Sequence, residues 1–259
     1  MKMNKEKIAI LISKRDEAGM NIAEELKKEK IPFNLLEKES IFEENIDIKI
    51  SGNFYVFATK HQSTQHNKTL TIHAPGNWNK ADFGGKNNEV CPTSAFFLKH
   101  LFKILNEEKE KAKSQFQVSL EATHHGPLIN KPCCFIEIGS SKEEWKDKEA
   151  GKIIAKTISR ILKEKIPQAI PALAIGGPHY CPNFNKLQLN SEYAIGHVIP
   201  EYALKNFNES MLLEALKKTE EKVEAAILDW KGCGKSEERQ KIINILKKNN
   251  LKILRTDQL

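Results

Sequence analysis

A chain of 259 residues with 40% apolar and 29% charged residues can build one large domain or two small ones. No stretch approaches the roughly 20 apolar residues a bilayer span needs, so no membrane partner is expected. The net charge of +7 favours an anionic partner. Much of the lysine, however, lies in mixed runs such as EELKKEKI and NEEKEKAK that suit solvated helix faces. The five cysteines, Cys91, Cys133, Cys134, Cys181 and Cys233, are scattered, odd in number and without a C-x-x-C pair. That pattern argues against a disulfide framework and a zinc ribbon, and suits reduced thiols in a cytoplasmic protein.

In chain order, KIAILIS (7–13) reads as a first strand, because the N-terminus turns polar too soon for a signal peptide. NFYVFAT (53–59) reads as a second strand. Residues 60–92, rich in Gly, Pro, Asn and His, break the pattern and read as a long functional loop. A helix is predicted over 93–113, then strands at FQVSLEAT (116–123) and CCFIEIG (133–139). GSSKEEW opens a helix over 142–164, with Ser140 or Ser141 as its cap. AIPALAIGG (169–177) is another strand, followed by a second irregular segment at 178–192. Helices at 209–222 and 235–249 and strands at AAILD (225–229) and LKILR (251–255) complete the chain. Strands alternating with helices predict one α/β domain over 1–259, its sheet covered on both faces.

Six of the eight histidines fall at strand ends or in the two irregular segments. These include His61, His66 and His73 in the first loop, and His179 after the second Gly of IGG. His100 reads as a structural helix residue. The run SLEATHHGPL places Glu121, His124 and His125 directly before Gly126-Pro127. In an extended strand Glu121 and His125 share a face but lie roughly 13 Å apart, at about 3.3 Å per residue. The run is therefore one wall of a site and not a complete metal site. It also lacks the H-E-x-x-H order that puts two ligands on one helix face. A second wall comes from Gly176-Gly177, where backbone without Cβ atoms can approach a ligand, and from His179 beyond them. His197, in YAIGHVIP, read alone is a satisfied core histidine. Glu137 sits in an apolar run and must face solvent, pair or bind something. The helix start near Ser140 offers N–H groups to an anion. Lys231 and Lys235 lie in a Gly-rich turn without P-loop spacing.

SLEATHHGP, FIEIGSSKEEW, IGGPHY, YAIGHVIP and DWKG, with ADFGGKNNE, occur in the order found in archaeal- and plant-type D-aminoacyl-tRNA deacylases, which the chain resembles over nearly its whole length. The resemblance implies a mixed central sheet similar to peptidyl-tRNA hydrolases and zinc carboxypeptidases. It also implies zinc dependence and cleavage of the ester between a D-amino acid and tRNA. The expected form is a cytoplasmic monomer that acts on D-aminoacyl-tRNA and not on DNA. For that chemistry the expected catalytic residues are Glu121, His124, His125 and His179. The substrate-binding set is Gly176, Gly177, Ser140 and Lys231, and the metal ligands are His125, His179, His197 and Glu137. No G-x-S-x-G elbow or cysteine nucleophile motif supports a covalent intermediate.

Overall fold

The computed structural model describes residues 8–64 and 67–259; Lys7 of the first predicted strand and His66 lie outside them. Two sheets carry the fold. The first is six-stranded and mixed. It contains β1 (Ile8–Ser13), β2 (Asn34–Leu36), β3 (Phe54–Lys60), β4 (Thr69–His73), β5 (Gln117–Leu120) and β6 (Cys133–Gly139), in the order β2-β1-β3-β6-β4-β5. Only the β4–β6 pairing is antiparallel. The second sheet is parallel throughout, with β7 (Ile170–Ile175), β8 (Tyr193–Ile199), β9 (Ala225–Leu228) and β10 (Lys252–Arg255) in the order β10-β9-β7-β8.

Alternation along the strands decides what each face meets. Val56, Ala58, Leu70, Ile72, Ile136 and Ile138 point to a core shared with α1 (Glu17–Lys28), α3 (Ala95–Lys111) and α5 (Lys148–Ile161). On α5, Ala150, Ile153, Ile154, Ile158 and Ile161 are buried at helical spacing. Each of these isoleucines taken fully from water contributes about 1.5–3 kcal/mol. The opposite face carries Phe57, Cys133 and Phe135 and is covered by loops and by the short α2 (Ile46–Lys49). The second sheet has helices on both sides. Ala172, Ala174, Ile195 and Ile227 join the large core, and Leu173, Ile175, Ala226 and Leu228 pack with buried residues of α7 (Glu209–Lys217) and α8 (Ser236–Lys248).

Several elements depart from the sequence reading. Residues 60–92 are not wholly irregular, since they contain β4, and 178–192 contains α6 (Pro182–Asn190). The expected helix over 142–164 is interrupted. Lys142–Trp145 forms α4, and Asp147 caps α5 by accepting from Glu149 N at 2.8 Å and Ala150 N at 3.1 Å. The Asn21 amide holds the break by donating to the carbonyls of Trp145 (3.0 Å) and Asp147 (2.7 Å). The strand expected over 116–123 ends at Leu120. Beyond it the chain crosses between the sheets. Glu121 N donates to Ile72 O (3.1 Å), Ala122 N to His179 O (2.8 Å) and Thr123 N to Val198 O (3.1 Å).

Candidate active site

That crossing segment assembles the site. β3 delivers His61 just past its last residue, and β4 ends on His73. β6 presents Glu137 opposite Thr59 on one side and Thr71 on the other. Both threonine hydroxyls donate to the Glu137 carboxylate, at 2.8 and 3.3 Å. His61 is fixed through its backbone, with its N–H on Ile138 O and its carbonyl accepting from the Trp145 indole, both at 2.9 Å.

Two buried carboxylates lie at the centre. Glu121 Oε1 is 3.0 Å from His61 Nδ1, and Glu137 Oε2 is 3.6 Å from the same nitrogen. Glu121 Oε2 accepts from His179 Nε2 at 3.1 Å and lies 3.5 Å from His124 Nε2. Removing two carboxylates from water is expensive unless cations or donors replace the water. Burial alone would raise both pKa values. For Glu137 the neighbouring imidazoles of His61 and His73 outweigh it and hold the carboxyl well below its usual range. Glu121 is lowered too, chiefly by the His179 hydrogen bond and the His61 charge. In turn, burial would lower the His61 pKa, but Glu137 and Glu121 outweigh it and raise it to about 10. His61 is thus a fixed cation between two anions.

A second group contains imidazoles only. His73, His124 and His125 each offer a ring nitrogen within 4.8 Å of the others'. Their Nδ1 atoms sit on the backbone carbonyls of Ala74 (3.1 Å), Ala122 (2.8 Å) and Gly126 (2.6 Å). Such bonds fix the Nδ1–H tautomer and leave the Nε2 lone pairs free. His125 has φ 44°, a left-handed conformation uncommon outside glycine and found at functional turns. Burial and neighbouring imidazoles push His124 well below the usual range and His125 to about 4. Burial would also lower His73, but the Glu137 carboxylate raises it. Their atoms are 3.8 Å apart, too long for a hydrogen bond, and His73 Nε2 has no hydrogen-bond partner among the described residues. A buried ring nitrogen facing a carboxylate in this way suits a cation, whether a proton or a metal ion.

The expected site residues are only partly brought together. Glu121, His124, His125, His179 and Glu137 converge, and His61 and His73, placed by the sequence only in a loop, join them. The four expected metal ligands do not converge. His125, His179 and Glu137 each belong to a different group of ligand atoms, and His197 belongs to none among the described residues. His197 is fully buried, with Nδ1 3.2 Å from the Thr123 hydroxyl and Nε2 3.3 Å from Lys218 O. Both nitrogens are occupied, so it is a core residue. Ser140 is buried, and its hydroxyl is engaged in donating to Asn67 O at 2.9 Å. What approaches Gly176 and Gly177 is the chain's own 229–233 turn. A Cβ on Gly176 would meet Cys233 Sγ at 2.7 Å, and one on Gly177 would meet Asp229 Oδ2 at 2.9 Å. At φ 93° and 79° these glycines shape the turn that carries His179 and offer no open approach to a ligand. Lys231 is exposed on that neighbouring turn.

The side chains of His124 and His179 are 24% and 31% exposed, and His125 is half-buried, so solvent reaches the cluster from this side. A carboxylate orienting an accessible imidazole is a general-base arrangement. With Nε2–H given to Glu121, the Nδ1 lone pair of His179 is free to take a proton.

A D-aminoacyl-tRNA deacylase from Methanocaldococcus jannaschii is 35% identical over 95% of this chain and 98% of its own length. One from Pyrococcus furiosus is 36% identical over 89% of this chain and 93% of its own. The crystal structure of a conserved protein of unknown function, AF0625, superposes with a TM-score of 0.89 at 28% identity, covering 97% of this chain and 96% of that one. The sequence profile described as D-aminoacyl-tRNA deacylase matches residues 48–254, and the chain belongs to that family.

Proposed function

We propose that this chain hydrolyses the ester that joins a D-amino acid to the terminal ribose of tRNA. The Glu121–His179 pair, set among buried carboxylates and imidazoles in a chain of this family, carries the reading. His179 Nδ1 takes a proton from water as its oxygen bonds to the ester carbon. Glu121, held by His61, keeps the His179 ring oriented and stabilises its cationic form. As the tetrahedral adduct collapses, the same nitrogen returns the proton to the departing ribose oxygen. The products are free D-amino acid and tRNA.

Zinc fits the imidazole group. One ring nitrogen from each of three histidines converges there, and His73 Nε2 has no hydrogen-bond partner among the described residues. His73, His124 and His125 would hold the ion. Bound zinc supplies Lewis acidity and lowers the pKa of a coordinated water to about 7. The carboxylates are less suited, because Glu121 Oε2 accepts from His179, Glu137 accepts from Thr59 and Thr71, and both face the His61 cation.

Five unpaired, buried cysteines support a reducing, cytoplasmic setting. No helix among the described residues is long and apolar enough to cross a membrane. The deciding assay is release of D-tyrosine against L-tyrosine from charged tRNA, with and without a chelator. Comparable turnover of both enantiomers overturns the stereospecific reading. Full activity in chelator, with no metal by elemental analysis, overturns the zinc reading.

A further inference from the structure

Resting on the deacylase reading, the geometry points to Tyr180 as a further catalytic residue, whose phenolic O–H donates to the ester's carbonyl oxygen as it becomes an oxyanion, with His61 as its positioning residue. The Tyr180 oxygen lies 2.7 Å from His61 Nε2. The other nitrogen of that ring faces Glu121 at 3.0 Å and Glu137 at 3.6 Å. An imidazole between two carboxylates carries both protons, in line with its raised pKa. Its Nε2–H therefore donates and the Tyr180 oxygen accepts, so the phenolic proton must point elsewhere. No other hydrogen bond of that hydroxyl is formed among the described residues.

The tyrosine is placed with little freedom. Its carbonyl accepts from the Ser119 hydroxyl at 2.6 Å and from the Asn185 amide at 3.1 Å. The preceding carbonyl, of His179, accepts from Ala122 N at 2.8 Å. The Tyr180 ring stands edge-on to both His61 (centroids 5.6 Å apart) and His179 (5.4 Å). The base and this donor are thus consecutive residues on one pinned turn. Water attacking from the His179 side develops negative charge on the ester oxygen, and a donor fixed beforehand stabilises that charge without reorganising. Tyr180 gives up no proton in the step. It donates a hydrogen bond that strengthens as the C=O π bond breaks and relaxes when the bond re-forms and the ribose oxygen leaves.

The test is Tyr180→Phe, which removes one oxygen and keeps the ring packing. With D-tyrosyl-tRNA, kcat should fall about 10²-fold with KM within about threefold. Two unreactive probes separate the oxyanion from ground-state binding. A 3′-D-tyrosyl-amide of adenosine should bind wild type and variant alike, whereas the corresponding phosphonate, with its tetrahedral anion, should lose at least about tenfold in affinity. Thermal melting on the same samples reports folding. Wild-type kcat in the variant, or equal loss of both probes, overturns the assignment while leaving the deacylase reading intact. Absence of D-tyrosine release by the wild type overturns both.

Discussion

His73 and His197 are both fully buried and both lie in strands, yet they do opposite things. His197 on β8 has a partner for each nitrogen and the edge of Trp78 against its ring, with centroids 5.9 Å apart. His73 on β4 has a carbonyl on Nδ1, three aromatic neighbours and nothing on Nε2. A buried polar atom without a partner costs about 1–3 kcal/mol, so where one persists something must offset it. Burial does not distinguish these two histidines; what differs is the hydrogen bond left unmade on His73 within a group of convergent ligand atoms.

The comparison can be broken most sharply from the site side. Glu121→Gln leaves the shape but removes the charge that orients His179 and faces His61, so deacylation should fall about 10²–10⁴-fold while the protein stays folded. A variant within tenfold of wild type would take Glu121 out of the mechanism. His197→Ala should do the reverse. Lost packing and two abandoned partners predict a loss of about 2–4 kcal/mol in unfolding free energy, with turnover per folded molecule near wild type. Chemical denaturation with active-site titration measures both, and full stability would undo the scaffold assignment.

Acid sharpens the same contrast. Burial lowers the His197 pKa to about 4, so the folded state prefers the neutral ring. The stability this gives is present above the unfolded value near 6.5 and is lost as pH falls through the window down to about 4. His197→Gln should flatten the pH dependence of stability there by about 3 kcal/mol, at about 1.4 kcal/mol per unit. An unchanged slope would show that the ring titrates alike in both states. The smallest effect concerns tRNA. Lys231 and Lys235 are exposed beside the turn that carries His179. Replacing both by Ala should weaken tRNA affinity a fewfold and lower the salt slope by about 1.4–1.8, at roughly 0.7–0.9 per phosphate contact. An unchanged slope would place the RNA elsewhere.

Much of this was legible in the chain itself. The strands at 53–59, 133–139 and 169–177 announce themselves by apolar, β-branched runs, and Glu137 by being a carboxylate inside one. TLTIH was harder to read. Leu70 and Ile72 alternate with Thr69, Thr71 and His73, as a strand requires, but only over five residues in polar surroundings. Missing β4 hid the roles of His61 and His73, because its antiparallel insertion between β5 and β6 brings the first loop's ends to Glu121 and Glu137. Strand order is a long-range property that no local pattern encodes. His197 was misassigned for a related reason. Its setting after a glycine and before a β-branched run resembles that of a strand-end histidine, and only tertiary contacts show both nitrogens occupied.

The crossing at residues 121–123 has a consequence for how the molecule fails. The amides of Ala122 and Thr123 tie the first sheet to His179 and to β8, and the Trp78 indole adds a bond to the same Val198 carbonyl, at 3.0 Å. These hydrogen bonds therefore serve two ends at once: they join the sheets, which also share the large apolar core, and they align base with carboxylate. Any loosening of that junction should cost activity, so inactivation is expected no later than the loss of tertiary structure.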